Sequence, residues 1–288
     1  MIKKSLFAAL VFLCLHALFV HFTHIGNSQH IWQDNINKAQ RFIYDKDTSL
    51  SVIVGSSLSN RLVMDSLPGF YNLSLQGQNI YDGLAIIFKK DQMPKKIYLE
   101  MNIILGVENK NFTGSLFSPI LFNIRNIFPS LRDEYQPVGQ FSKIVMNSID
   151  KIHPGSKLLK SPPVSENVFD QLMELKIQEY SQIPDEVTIQ DRKAILKKYV
   201  ESLENEGAKV VFFEMPVNEK LSKLPKACIV REIFYETFPE EKYKYIPLPD
   251  YKNYKTRDGE HLGYEEAVMY TCYFKSEIGK VNIASNEE

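Results

Sequence analysis

The sequence lacks an excess of charge of either sign, and it has few cysteines and histidines. Its 34 lysines and arginines are balanced by 35 aspartates and glutamates, for a formal net charge of -1. These charges are spread along the chain, so there is no basic patch of the kind that nucleic-acid binding requires. No spacing typical of a metal site, such as CxxC or HExxH, occurs. We therefore expect no nucleic-acid partner, no metal and no cofactor.

The cysteines number three. Cys14 lies in an apolar N-terminal segment, whereas Cys228 and Cys272 lie far downstream. A disulfide between the latter two would persist outside the cytoplasm, but their spacing does not show that they pair. We expect two ordinary buried cysteines.

Residues 1–25 have the pattern of a membrane-targeting segment. Lys3 and Lys4 precede an apolar stretch that runs from Leu6 to about Phe22, which is near the lower limit for crossing a bilayer core about 30 Å thick. The positive-inside rule places the two lysines in the cytoplasm and the chain after residue 25 outside. A cleaved signal peptide is the alternative, but no small-x-small cleavage site follows. We expect an uncleaved, single-pass signal anchor in the inner or plasma membrane, with an extracytoplasmic (periplasmic or extracellular) domain.

The remaining chain reads as a linker with a short amphipathic helix at 26–48 and an α/β domain at 49–288. Apolar runs that are typical of strands covered on both faces occur at Leu50–Val54, Ile97–Ile104 and Lys209–Met215. Helical patterns lie between them at Asn79–Lys90 and Ile189–Glu206, and Gly207 ends the second helix. This alternation predicts a parallel sheet with helices between its strands.

Residues 106–180 form an expected insertion into this domain. Its clearest feature is an apolar helical stripe consisting of Ile120, Leu121, Ile124, Ile127 and Phe128. Such stripes most often belong to a core, and that is the expectation here. The alternatives are a cap over the site or a face that meets the membrane or a membrane partner.

Two short motifs carry candidate chemistry. Gly55-Ser56-Ser57-Leu58 follows the first apolar run, so its hydroxyls should lie at the carboxyl edge of the sheet, where open α/β folds bind ligands. Amides that begin the next helix can face a developing oxyanion there. The simpler interpretation is that the serine only caps that helix.

The second motif is Asp258-Gly259-Glu260-His261-Leu262. Of the six histidines, only His153 and His261 lie in the globular part of the chain. His153 precedes a Pro-Gly turn, whereas His261 follows Asp258 by three residues and can share one side of a tight turn with it. A serine, an imidazole and an orienting carboxylate together make a nucleophile for acyl transfer. The simpler interpretation is that Asp258 and His261 cap the helix that starts near Gly263.

The two motifs and their order resemble the SGNH (GDSL-type) hydrolase family over about residues 50–275. The resemblance implies that Ser57 is the nucleophile and that Asp258 and His261 complete the triad. It also implies an oxyanion hole formed by the amides of Ser57 and Gly77, the latter in Asn72-Leu73-Ser74-Leu75-Gln76-Gly77, and by the side chain of Asn102. The fold that it implies is a three-layer, flavodoxin-like parallel sheet with helices on both faces.

The sequence departs from the family pattern at several positions. Glu100 replaces the glycine of the third family block, and Ile103 replaces its final aspartate, which puts the role of Asn102 in question. Ser56 stands where the family has aspartate, which leaves it as an alternative nucleophile. With an anchor, Gly-Ser-Ser is similar to the family's cell-envelope branch, which includes teichoic-acid D-alanylation and alginate and cellulose acetylation proteins.

The expected function is therefore that of an extracytoplasmic acylesterase or O-acyltransferase acting on acyl groups, most simply acetyl, of a cell-surface polysaccharide. Its partners would be an acylated glycan or acyl donor, the membrane, and a polytopic membrane O-acyltransferase. A different class is a non-catalytic scaffold or partner subunit of such a complex, with a degenerate site. A third option is a lipid esterase or thioesterase, indicated by the apolar residues 112–128.

Overall fold

The structure is a computed structural model that describes residues 2–23, 31–45, 47, 51–137, 140 and 164–284. These residues form two compact units. The first takes its described residues from Met1–Tyr44 and Asn111–Ser161, and the second from Asp45–Lys110 and Pro162–Glu288. The α-helices in chain order are α1 (Ile2–Thr23), α2 (Ile31–Tyr44), α3 (Ile80–Phe88), α4 (Lys110–Leu116), α5 (Pro119–Ile127), α6 (Glu166–Ser181), α7 (Glu186–Asn205), α8 (Glu219–Ser222), α9 (Pro225–Thr237) and α10 (Tyr264–Ala284).

The second unit is built on a parallel sheet of five strands, which confirms the predicted α/β class. The strands are β1 (Ser51–Val54), β2 (Phe70–Asn72), β3 (Lys96–Glu100), β4 (Lys209–Phe213) and β5 (Lys244–Tyr245). Their order across the sheet is β2-β1-β3-β4-β5. In the register of the three central strands, Ile53 lies opposite Tyr98, and Leu99 lies opposite Phe212. All five carboxyl ends therefore point to one edge.

Helices cover both faces of this sheet. Consecutive residues of a strand point to opposite faces, so Phe212 and Phe213 of β4 report on one face each. The ring of Phe212 lies 5.2 Å from that of Phe234 in α9. The ring of Phe213 lies 4.9 Å from that of Phe274 in α10. The two rings are fully buried, so the core continues through both layers.

Helices α3 and α7 begin at residues whose side chains cap them. Asn79 and Asp82 form a reciprocal capping box at the start of α3. The side chain of Asp185 accepts the N–H of Thr188 and so caps α7. Helix α7 buries the apolar stripe Leu196, Val200 and Leu203 against the sheet unit. Gly207 then adopts φ +82, the left-handed conformation that allows the chain to turn into β4.

The first unit combines the N-terminal helices with part of the insertion. The imidazole Nε2 of His16 in α1 lies 2.8 Å from the backbone oxygen of Tyr135. The side chain of Gln40 in α2 donates to Asp133. The ring of Tyr44 lies 5.6 Å from that of Phe122 in α5. Helix α1 is long and apolar enough to cross a membrane.

Two expectations about burial are wrong. Cys228 and Cys272 are unpaired but exposed, because both lie on outer surfaces of helices. The stripe on α5 is also not a core: Ile120 is 73% exposed and Ile127 is 69% exposed. The spacing of apolar residues along the sequence predicts a helix but does not indicate what covers its apolar face.

Candidate active site

Ser57 lies in the turn that leaves β1 at the carboxyl edge of the sheet. The interpretation of this serine as a helix cap is not what the structure shows. A short 3-10 helix, Ser59–Arg61, follows the turn, and its capping position is occupied by Leu58 without a side-chain bond. The connection from β1 to β2 contains this 3-10 helix and a second one, Met64–Ser66.

Ser57, His261 and Asp258 form a continuous chain of hydrogen bonds. The hydroxyl Oγ of Ser57 lies 2.8 Å from Nε2 of His261. The other ring nitrogen, Nδ1, lies 2.7 Å from Oδ2 of Asp258. A carboxylate can only accept, so Nδ1 carries the proton and Nε2 is left to accept the serine proton. This is the arrangement that a serine nucleophile requires.

Hydrogen bonds around Asp258 keep its carboxyl group ionised. Burial alone would raise the pKa of this carboxyl, but hydrogen bonds from the His261 ring, from the His261 N–H and from the Glu260 N–H bring it well below its ordinary value. The two backbone bonds, to Oδ1, measure 2.8 Å from His261 and 3.0 Å from Glu260. The carboxylate therefore stays ionised at neutral pH and also fixes the turn that carries the base.

Helix α6 holds this turn in place through Glu260. The hydroxyl of Tyr180 donates to Oε1 of Glu260 at 2.8 Å, and Nζ of Lys176 lies 2.5 Å from Oε2. Gly259 has φ +96, and a Cβ there would lie 2.7 Å from the sulfur of Met173 in α6. The close approach of α6 therefore requires a glycine between the acid and the base. The sequence motif alone gave no sign of this support.

Ser56, the alternative nucleophile, is placed differently from Ser57. It is fully buried, and its hydroxyl donates to Oε1 of Glu100 at 2.7 Å. Oγ of Ser56 also accepts a hydrogen bond from the backbone N–H of Leu58 at 3.1 Å. Both of these bonds stabilise the turn. The serine whose hydroxyl bonds to His261 is Ser57.

Glu100 is the functional candidate that sequence reasoning treated only as a departure. Its Oε2 accepts the backbone N–H groups of Ser56 at 2.9 Å and of Ser59 at 3.1 Å, and also the Ser59 hydroxyl. The side chain is fully buried, and burial raises its pKa even though these hydrogen bonds oppose the rise. A lone acidic residue ending an apolar strand is the sequence signal that could have drawn attention to it.

The two further oxyanion-hole candidates differ in their surroundings. Gly77 lies in an exposed turn with φ +67, in the segment where the N–H of Leu75 donates to the oxygen of Gly55 at 3.1 Å. The Asn102 side chain exchanges two hydrogen bonds with the backbone of Met215, of 2.9 and 2.8 Å. It thereby links the ends of β3 and β4. One of its two amide hydrogens is used in this way.

A cleft of about 560 Å³ lies beside the segment that carries the base. Its wall includes Thr256, which is bridged to Leu262 next to His261. None of the three triad residues lines this cleft, and its other lining residues are Phe169, Asn218, Glu219, Lys220, Tyr251, Lys252, Tyr254 and Lys255. In the described part of the chain, no group of His, Cys, Asp or Glu could hold a metal ion. His153 lies outside the described residues.

No family model, curated protein or solved structure matches this chain. The geometry of the site and the sequence motifs therefore carry the functional conclusion.

Proposed function

We propose that this protein is a serine-dependent acylesterase or O-acyltransferase with Ser57 as nucleophile, His261 as base and Asp258 as the acid that orients the base. The observation that carries the proposal is the hydrogen-bond chain of 2.8 Å and 2.7 Å joining the three side chains. Residues that are far apart in sequence meet here with the distances and the tautomer that nucleophile activation needs. Ser56 is assigned a structural part, because its hydroxyl is used within the turn.

The reaction would proceed through an acyl-enzyme. Oγ of Ser57 attacks the ester carbonyl while Nε2 of His261 takes its proton, and a tetrahedral oxyanion forms. His261 then returns the proton to the departing alcohol, which leaves the acyl group on Ser57. Water or a sugar hydroxyl, deprotonated by His261, then attacks the acyl carbonyl. The bond from the acyl group to Oγ of Ser57 breaks as His261 returns the proton to Oγ. The proposed oxyanion donors are the amides of Ser57 and Gly77 and the remaining amide hydrogen of Asn102.

The fold supports a member of the SGNH type. A parallel sheet in the order β2-β1-β3-β4-β5 with helices on both faces supports the proposal of a three-layer, flavodoxin-like arrangement. The nucleophile follows β1, and the acid and base precede α10, at the positions that the motif order of the family implies. Glu100 then takes the place of the family glycine as an internal support of the nucleophile turn.

The N-terminal helix supports the proposal for the substrate class. If α1 crosses the membrane with Lys3 and Lys4 inside, the site faces the cell envelope, where acyl groups are carried by polysaccharides. We therefore propose a surface glycan as acyl donor or acceptor, served by a polytopic membrane O-acyltransferase where the acyl group comes from the cytoplasm.

The test is covalent labelling of the full-length protein in detergent with a fluorophosphonate, followed by peptide mapping of the adduct. We expect the adduct on Ser57, and we expect Ser57→Ala and His261→Ala to abolish both labelling and p-nitrophenyl acetate hydrolysis. Ser66→Ala, a half-buried serine in the next turn, is the matched control and should keep both. Mapping on the unaltered chain separates Ser57 from Ser56 without requiring the Ser56→Ala variant to fold.

The outcomes separate the candidate functions. Labelling of a folded protein no stronger than that of Ser57→Ala would reject the enzyme and favour the scaffold. An adduct on Ser56 would reject the assignment of the nucleophile. Hydrolysis that increases with acyl chain length beyond acetyl would reject the glycan in favour of a lipid ester.

A further inference from the structure

The apolar side chains of α5 form one exposed face. At about 100° per residue, they fall within an arc of about 120°. These residues are Ile120, Leu121, Ile124 and Ile127 of α5 and Phe128 directly after it, and their exposed fractions run from 36% to 73%. The other side of the helix carries the inward contacts: Phe122 meets Tyr44, and Arg125 pairs with Asp133 at 2.7 Å. The exposed face thus carries no charge and is not the side that packs within the unit.

The described side chains of α1 that are shielded from solvent lie in the second half of the helix. Among its described side chains, His16 and Ala17 are half-buried and Val20 is buried, whereas those before His16 are exposed. The contacts of α1 include the 3-10 helix Pro129–Leu131, which directly follows α5, and the backbone oxygen of Tyr135. The segment formed by α5 and Pro129–Leu131 is therefore attached to α1 near His16.

If α1 spans the bilayer, His16 lies inside the hydrocarbon core. A core about 30 Å thick needs about 20 helical residues, so a span that starts after Lys4 ends near residue 24. The exposed part of α1 before His16 covers only about 17 Å of this thickness. His16 then lies about 12 Å below the outer boundary, and whatever contacts it lies at a similar depth.

We infer that α5 and the helix Pro129–Leu131 lie in the outer leaflet of the membrane, with the apolar face of α5 against lipid acyl chains. The bond from His16 to the oxygen of Tyr135 satisfies two polar groups that would otherwise be unpaired in hydrocarbon. Trp32 near the start of α2, which is 44% exposed, fits the amphipathic boundary where tryptophan concentrates. Helix α5 and Pro129–Leu131 thus form the part of the first unit that contacts lipid, and this inference does not depend on the triad.

The test uses the fact that the chain has a single tryptophan, Trp32. In a Trp32→Phe background, Ile124→Trp places a fluorophore on the apolar face, and Asn126→Trp places one on the exposed opposite side of α5. Leu10→Trp, on the exposed part of α1, reports whether that helix is inserted. The full-length variants are reconstituted into phosphatidylcholine vesicles, either unmodified or brominated in the middle of the acyl chain.

Brominated lipid should quench most of the emission of the Leu10→Trp and Ile124→Trp variants and less of that of Asn126→Trp, which lies on the side of α5 away from the acyl chains. The Ile124→Trp emission should also be shifted to the blue of the Asn126→Trp emission. Quenching of Leu10→Trp without quenching of Ile124→Trp would overturn the inference and leave the face to a protein partner. Absence of quenching in both would overturn it as well, since α1 would then not be in the bilayer. Either failure is separate from the labelling of Ser57, which does not require lipid.

Discussion

Asp258 couples the stability of the protein to acid pH. Its pKa is lower in the folded chain than in the unfolded chain, so the folded state binds fewer protons. The stabilisation is complete above a pH of about 4 and is lost as the pH falls through the folded pKa. In Asp258→Asn this loss should disappear, and the midpoint of urea unfolding should depend less steeply on pH below about 4.

The same substitution should lower turnover by about 10⁴-fold, because an asparagine no longer selects the tautomer with the proton on Nδ1. Parallel pH dependences of the urea midpoint for Asp258→Asn and the unaltered protein would contradict the assigned pKa shift. Asp250→Asn, at an exposed aspartate that caps a 3-10 helix, is the matched control for the loss of one carboxylate.

Glu100 should respond to pH in the opposite sense. Its pKa is raised in the folded chain, so its contribution to stability is complete below the unfolded pKa and is lost as the pH rises through the folded value. Glu100→Gln keeps an acceptor for the buried amides and cannot ionise. The free energy of unfolding of Glu100→Gln, relative to the unaltered protein, should therefore increase as the pH rises.

Removal of the whole side chain has a different result. Glu100→Ala leaves the N–H groups of Ser56 and Ser59 buried without their acceptor, at a cost of about 1–3 kcal/mol each. Chemical unfolding of both variants across pH would measure the two effects. A pH-independent difference between Glu100→Gln and the unaltered protein would contradict the proposed titration.

At the scale of elements, α6 positions the turn that carries the base. Tyr180→Phe removes one hydrogen bond to Glu260 and leaves the ion pair with Lys176. We expect kcat to fall by about 10-fold to 100-fold because small displacements of a catalytic group are costly. Tyr264→Phe, at an exposed tyrosine that begins α10, is the control and should be neutral. An unchanged kcat in Tyr180→Phe would show that the ion pair alone is sufficient.

The strands differ in how well the sequence predicts them. The runs that became β1, β3 and β4 are apolar and buried, so composition alone identified them. Strands β2 and β5 have three and two residues, and they are strands because a neighbour pairs with them rather than because of their own pattern.

The candidate site also contains residues that short sequence motifs predict and residues that only the tertiary fold brings together. Ser57, Asp258 and His261 stand in short motifs whose chemistry is visible locally. The bonds of Glu100 join residues 44 and 41 positions apart, and no spacing rule indicates them. Asn102 was expected to face an oxyanion, and its ties to Met215 depend on the adjacency of two strands that are distant in sequence.

At the scale of the whole molecule, the first unit should depend on α1. Deletion of residues 2–23 removes the bond from His16 to Tyr135 and the cover on Pro129–Leu131. Hydrogen exchange in detergent should become faster around 129–136, while the amides of β3 in the second unit remain protected. Unchanged exchange around 129–136 would mean that α1 does not stabilise this segment. The full-length chain in the same detergent is the reference.

The nucleophile and its base are separated by 204 positions along the chain. Synthesis runs from the N-terminus, so Ser57 emerges from the ribosome long before His261 exists. Under the proposed function, a chain exported while still extended would carry an inert hydroxyl through the cytoplasm. Its reactivity would begin only once folding had brought His261 to Ser57, so the order of synthesis would prevent ester cleavage before the domain is complete.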